Sequence, residues 1–109
     1  LSTDNPNSKT QNSKEIRDLV IGSRKIQEIR FIGEKIYTNS QMGNRHVKKY
    51  CKLDPDAERI LRLALEKFDL SARSYFRLIK VARTIADLEA SENILTNHMA
   101  EALQYRQQI

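Results

Sequence analysis

The sequence predicts an all-α domain, a small four-helix bundle, on three observations. From Asp56 to Ile109 there is neither Gly nor Pro, so 54 consecutive residues carry no strong helix breaker. Apolar residues recur there at spacings of three and four, the helical period. Hydrophobic residues make up 39% of a 109-residue chain, enough for one patterned core and too short a chain for a two-domain enzyme.

The elements follow in order. Residues 1–11 are polar, with Pro6 and Leu1 as the one proline and the one apolar residue, and read as a flexible tail or linker; residues 12–109 make the helical domain. A first helix opens at Asn12 or Ser13, with Asn12 and Glu15 in capping-box spacing. It runs to about Phe31 with Ile16, Leu19, Val20, Ile26 and Ile29 turned inward. Asn39–His46 reads as a loop between short ordered segments at Ile36–Tyr37 and Val47–Tyr50. The second helix has Asp54 as N-cap, Pro55 at its first position and Asp56 and Glu58 in the first turn, where acids complement the helix dipole. Its buried stripe is Ile60, Leu61, Ala64, Leu65 and Phe68. The third is capped by Ser71 and runs to about Leu88, burying Tyr75, Leu78, Ile79, Ala82, Ile85 and Ala86. The fourth is capped by Thr96, with Met99, Ala100 and Leu103 inward.

Composition excludes several classes of function. No uninterrupted apolar run exceeds the three residues of Leu19–Ile21 or Leu63–Leu65, against the roughly 20 needed to span a bilayer. No segment has the pattern of a signal peptide. Cys51 is the single cysteine, so an internal disulfide is impossible and a cytoplasmic setting is expected. The chain begins at Leu1 rather than Met, which suggests a piece of a longer protein. Its net charge of +5 points to a polyanionic partner without choosing one. The excess sits in the first half: residues 1–53 hold 11 basic and 5 acidic residues, residues 54–109 hold 8 and 9.

The third helix contains the most informative residue. At about 100° per residue, Arg73, Arg77, Lys80 and, towards one edge, Arg83 fall opposite its apolar face. A solvated basic face is the ordinary explanation. Arg73, however, occupies the second position of the helix, where a cation is disfavoured by about 0.3–1 kcal/mol. The combination becomes favourable when an anion is present, because the free N–H groups and the guanidinium converge on the same phosphate oxygens. Arg73 is therefore a candidate phosphate ligand, with Arg77 one turn on.

The run LSARSYFRLIKVARTIADL (Leu70–Leu88), followed by SENILTNHMAEALQYR (Ser91–Arg106), strongly resembles the C-terminal domain of bacterial magnesium-chelatase-like AAA+ ATPases of the competence-protein type. SKEIRDLVIGSRKIQEIRF (Ser13–Phe31), NSQM (Asn39–Met42) and CKLD (Cys51–Asp54) are similar to that family's earlier segments in the same order. The sequence departs from the family at Ser40, at Phe76, and at Glu89–Ala90, where relatives commonly have a small residue and a glycine.

The resemblance implies an AAA+ helical lid, the bundle that follows the nucleotide-binding core. Ser71-Ala72-Arg73 matches the motif whose arginine is the second sensor and reaches the ATP γ-phosphate, so that role passes to Arg73, with Arg77 as a supporting residue. It further implies ATP and Mg²⁺ held through an N-terminal core absent from this sequence, and partners in that core and in neighbouring subunits of a homo-hexameric ring. A DNA-processing parent, with DNA as a further possible partner, is the expected activity. The 109 residues contain no G-x-x-x-x-G-K-[ST] run, so no ATP hydrolysis is expected of this chain alone.

Other candidates are weaker. His46 and Cys51 are two ligands where zinc takes four, or three and water, and read as a loop histidine and a partly buried thiol. His98 reads as a surface or capping residue, and Asp87 and Glu89 as a solvated helix end. The four tyrosines are too scattered for a base-stacking platform. The alternative to the lid is a free-standing basic module that binds nucleic acid through Arg17 and Arg24 of the first helix. A protein-interaction adaptor would fit the bundle and leave Arg73 unexplained.

Overall fold

The computed structural model describes the backbone of residues 6–105 and the side chains of residues 14–105. Among the described residues five helices follow one another: α1 (Pro6–Arg30), α2 (Asn44–Tyr50), α3 (Pro55–Lys67), α4 (Ala72–Leu88) and α5 (Thr96–Tyr105), with a 3₁₀ turn at Asn39–Gln41. The fold is all-helical, as the sequence predicts. Among the described residues, extended pairing is limited to one bridge between Leu53 and Ile94, where Asp54 N–H donates to Ile94 O at 2.9 Å and Ile94 N–H to Lys52 O at 2.9 Å. No described helix is long and apolar enough to cross a membrane.

α4 is the central element, packed against α1, α2, α5 and the 3₁₀ turn, while α3 closes on α5. Its apolar stripe, Leu78, Ile79, Ala82, Ile85 and Ala86, is buried with Ala57 and Leu61 of α3 and with Met99 and Ala102 of α5. Phe31, Met42, Val47, Cys51 and Ile94 complete the core. Ile60, Leu65 and Leu103 are partly buried against it, whereas Phe68 is 42% exposed and Ala100 faces solvent.

Two elements differ from expectation. The segment read as a loop contains the 3₁₀ turn and the start of α2. Gly43 precedes that helix, and its N–H donates to His46 Nδ1 at 3.1 Å, so the capping group comes from the third helical residue. α1 opens at Pro6, with no break at Asn12; proline suits a first helical position because its fixed φ fits and its missing N–H is not needed. Residues 6–11 of the expected tail are thus helical, and residues 1–5 lie outside the described residues.

The inward face of α1 also differs. Ile16, Leu19 and Val20 share a side of the helix with Ser23 and Gln27, yet only the latter are buried. From Ser23 onward that side meets α4 and the 3₁₀ turn. Before it, the helix runs past the body and its apolar residues stay exposed. Ile29 points away altogether, at 70% exposure.

The joint between α1 and α4 is ionic. Asp87 is fully buried and accepts two hydrogen bonds from Arg30, at 2.6 and 2.8 Å, one from Asn39 Nδ2 at 2.7 Å and one from Arg83 Nε at 3.2 Å. Arg83 also donates to the carbonyls of Ser91 and Glu92, at 2.6 and 2.8 Å. No buried side-chain polar atom of this cluster lacks a partner, the condition under which buried charge is tolerated. Asp87 is therefore no solvated helix end and Arg83 no surface cation. Burial lowers the Arg83 pKa, and the adjacent Asp87 carboxylate opposes that shift.

A second tie holds the segment after α1 to α2. Tyr50 donates its hydroxyl to Glu34 at 2.7 Å, and Arg45, His46 and Lys49 surround the same carboxylate. The Tyr50 hydrogen bond, with the charges of Lys49 and Arg45, brings the Glu34 pKa down to about 2.

Candidate functional site

The site is built on the first turns of α4. Ser71 caps that helix, its Oγ accepting from Ser74 N–H at 3.2 Å and its carbonyl from Tyr75 N–H at 3.0 Å. The N–H groups of Ala72 and Arg73, ahead of the first intrahelical bond, are left pointing out of the helix start. Arg73 is the second helical residue, the position at which the dipole argument placed it.

Arg73 and Arg77 come together on one open groove of about 500 Å³, lined also by Asn44, Ala72, Phe76 and Lys80. Both arginines are exposed, and neither has a side-chain hydrogen bond or ion pair among the described residues. Lys80 is fixed by donation to the Met42 carbonyl at 3.1 Å, which joins α4 to the turn before α2. Two unpaired guanidiniums beside a helix start form a cationic, donor-rich concavity; its chemistry suits a phosphate or another oxyanion. Asn44, Phe76 and Lys80 are the members that sequence reasoning did not assign to the site. Asn44 belongs to a helix that the sequence did not reveal.

The remaining candidates stand apart from this groove. His46 hydrogen bonds Gly43 N–H and faces Glu34, while Cys51 is buried with its Sγ 3.9 Å from Met42 Sδ. Burial pushes the Cys51 thiol up to about 11, so it is an inert core residue. Among the described residues no three His, Cys, Asp or Glu side chains gather to hold a metal. His98 is not a surface residue: it is fully buried, its Nδ1 accepts from Leu95 N–H at 2.9 Å, and its Nε2 lies 2.9 Å from Glu89 Oε1. Leu95, not Thr96, is thus the cap of α5. Arg17 and Arg24 are exposed on α1.

An all-helical domain with a cationic groove at one helix start is the class these contacts define. By sequence, the chain belongs to the family described as magnesium chelatase, subunit ChlI C-terminal, matched over residues 10–106. It is 38% identical over 105 residues to the competence protein ComM of Haemophilus influenzae, covering 96% of this chain and 20% of that protein. It is 44% identical over 68 residues to the uncharacterized protein YifB of Salmonella typhimurium, covering 62% of this chain and 13% of that protein. YifB of Escherichia coli is 38% identical over 68 residues. The chain spans a fifth or less of the length of these relatives.

Proposed function

We propose that this domain is the helical lid of an AAA+ ATPase, and that Arg73 senses the γ-phosphate of bound ATP. The observation that carries the reading is Arg73 itself: an unpaired, exposed cation at the second position of a Ser-capped helix, where only an anion makes it favourable. Family membership supports it, since Ser71-Ala72-Arg73 fits the second-sensor motif. Arg77, on the same groove, supports the charge on the phosphates. ATP and Mg²⁺ are held by a nucleotide-binding core elsewhere in the parent protein, and the lid couples nucleotide state to the motion of a homo-hexameric ring. The name of the Haemophilus relative, a competence protein, favours a DNA-processing parent.

On this reading the 109-residue chain contributes a charge-stabilising arginine and no hydrolytic machinery of its own. Arginine fingers contribute about 10³–10⁵ in rate, and a sensor falls below that range. Arg73→Ala in the full-length protein should lower ATP turnover roughly tenfold or more, with the circular dichroism of this domain unchanged. Normal turnover in that variant would discard the sensor assignment.

A further inference from the structure

The groove at the start of α4 is not isolated. Arg77 and Lys80 also line a second groove that runs on past Val81 and Ile85. Phe76 is a wall shared with a third groove on the other side, whose rim carries Lys48 and Lys52. The three adjoin along one face made by α2 and α4. Five cations line it, Lys48, Lys52, Arg73, Arg77 and Lys80, against one acid, Glu58, whose carboxylate is taken by Arg62 at 3.0 Å. Elsewhere, the exposed cations Arg45 and Lys49 of α2 and Arg59 and Arg62 of α3 do have acidic partners. The face is therefore cationic without internal neutralisation, and its midpoint is a half-buried phenylalanine braced by Tyr75, ring centroids 5.1 Å apart.

We propose that this face binds single-stranded nucleic acid, with Lys48 and Lys52 on phosphates and Phe76 against a base. Phosphate charge and base surface alternate along a strand as cations and aromatic wall do here. An acidic peptide would satisfy the cations and leave the ring without a stacking partner. A duplex keeps its bases stacked, out of reach of a ring set within a groove. This surface is separate in its demands from the nucleotide reading: it needs Lys48, Lys52 and Phe76, which the sensor role does not use.

The test is fluorescence anisotropy of a labelled thymidine oligomer of about 20 nucleotides titrated with the 109-residue chain, without ATP, across a salt series. Lys48→Ala/Lys52→Ala should weaken binding at least fivefold and flatten the salt slope by about 1.4, at ~0.7 per phosphate contact. Phe76→Leu keeps an apolar wall and should cost about fivefold through lost stacking. Arg59→Ala/Lys67→Ala removes the same charge from α3 and should cost less than twofold. The proposal is overturned if the control pair loses as much, if polyglutamate of matched charge displaces the oligomer equally well, or if the chain does not bind it. ATP turnover of Arg73→Ala is read separately, so either idea can fail alone.

Discussion

Asp87 gathers four hydrogen bonds from three side chains in a site without solvent, and that makes it the residue on which the joint of α1 and α4 depends. Asp87→Asn keeps the shape and removes the charge, leaving Arg30 and Arg83 uncompensated. We expect a loss of about 3–5 kcal/mol in unfolding free energy, the usual effect of removing one partner from a buried ion pair. Urea denaturation would measure it; a loss below about 1 kcal/mol would mean that the arginines find other partners. The sequence disguised this residue, because Asp87 stands near the end of a helix, where acids are normally solvated. Its relation to Arg83 at four residues was visible. The approach of Arg30, 57 residues earlier, was not, since it depends on how α1 folds back.

At the scale of elements, the chain ends two helices without glycine. Asp69 and Ala90 take positive φ, 50° and 55°, just after α3 and α4. Leu70 N–H returns to Leu65 O at 3.0 Å and Ser91 N–H to Ala86 O at 2.8 Å, the hydrogen bonds of a left-handed helix stop. Ala90 carries a Cβ in a backbone region that glycine enters without steric penalty. Ala90→Gly should stabilise the domain by about 1 kcal/mol, read as a higher urea midpoint with unchanged slope; destabilisation would mean that the Ala90 methyl makes contacts worth more than its strain. The starts of α3 and α4 were legible because Asp54-Pro55 and Ser71 lie at the boundaries, although only Ser71 makes a side-chain capping bond; Asp54 makes none. The start of α2 was not legible, because His46 caps it from inside the helix; for α5 the start was legible within a residue, and only its capping group, His98, was not.

For the whole molecule, α4 is core on one side and cationic groove on the other, so the element that organises packing also presents the candidate site. The site's leading residue could be read from sequence, since Arg73 violates a local electrostatic rule. Its surroundings could not, because Asn44 and the lysines of α2 and its end arrive through tertiary packing. The stripe predicted to bury α1 shows the same boundary: Ile16, Leu19, Val20 and Ile29 are exposed, because periodicity finds an apolar side and the extent of the body decides whether that side is covered. Only the part from Ser23 onward rests on α4 and the 3₁₀ turn. A helix without such support is marginal in water, so α1, continuous in geometry, should be divided in stability. Amides of residues 14–22 should exchange with deuterium at least about tenfold faster than those of 23–30; uniform protection along the helix would show that the uncovered turns are held by something else. Gly22, the residue at this division, then marks the place where one rod behaves as two: an anchored stem and a blade that melts and re-forms without disturbing the rest.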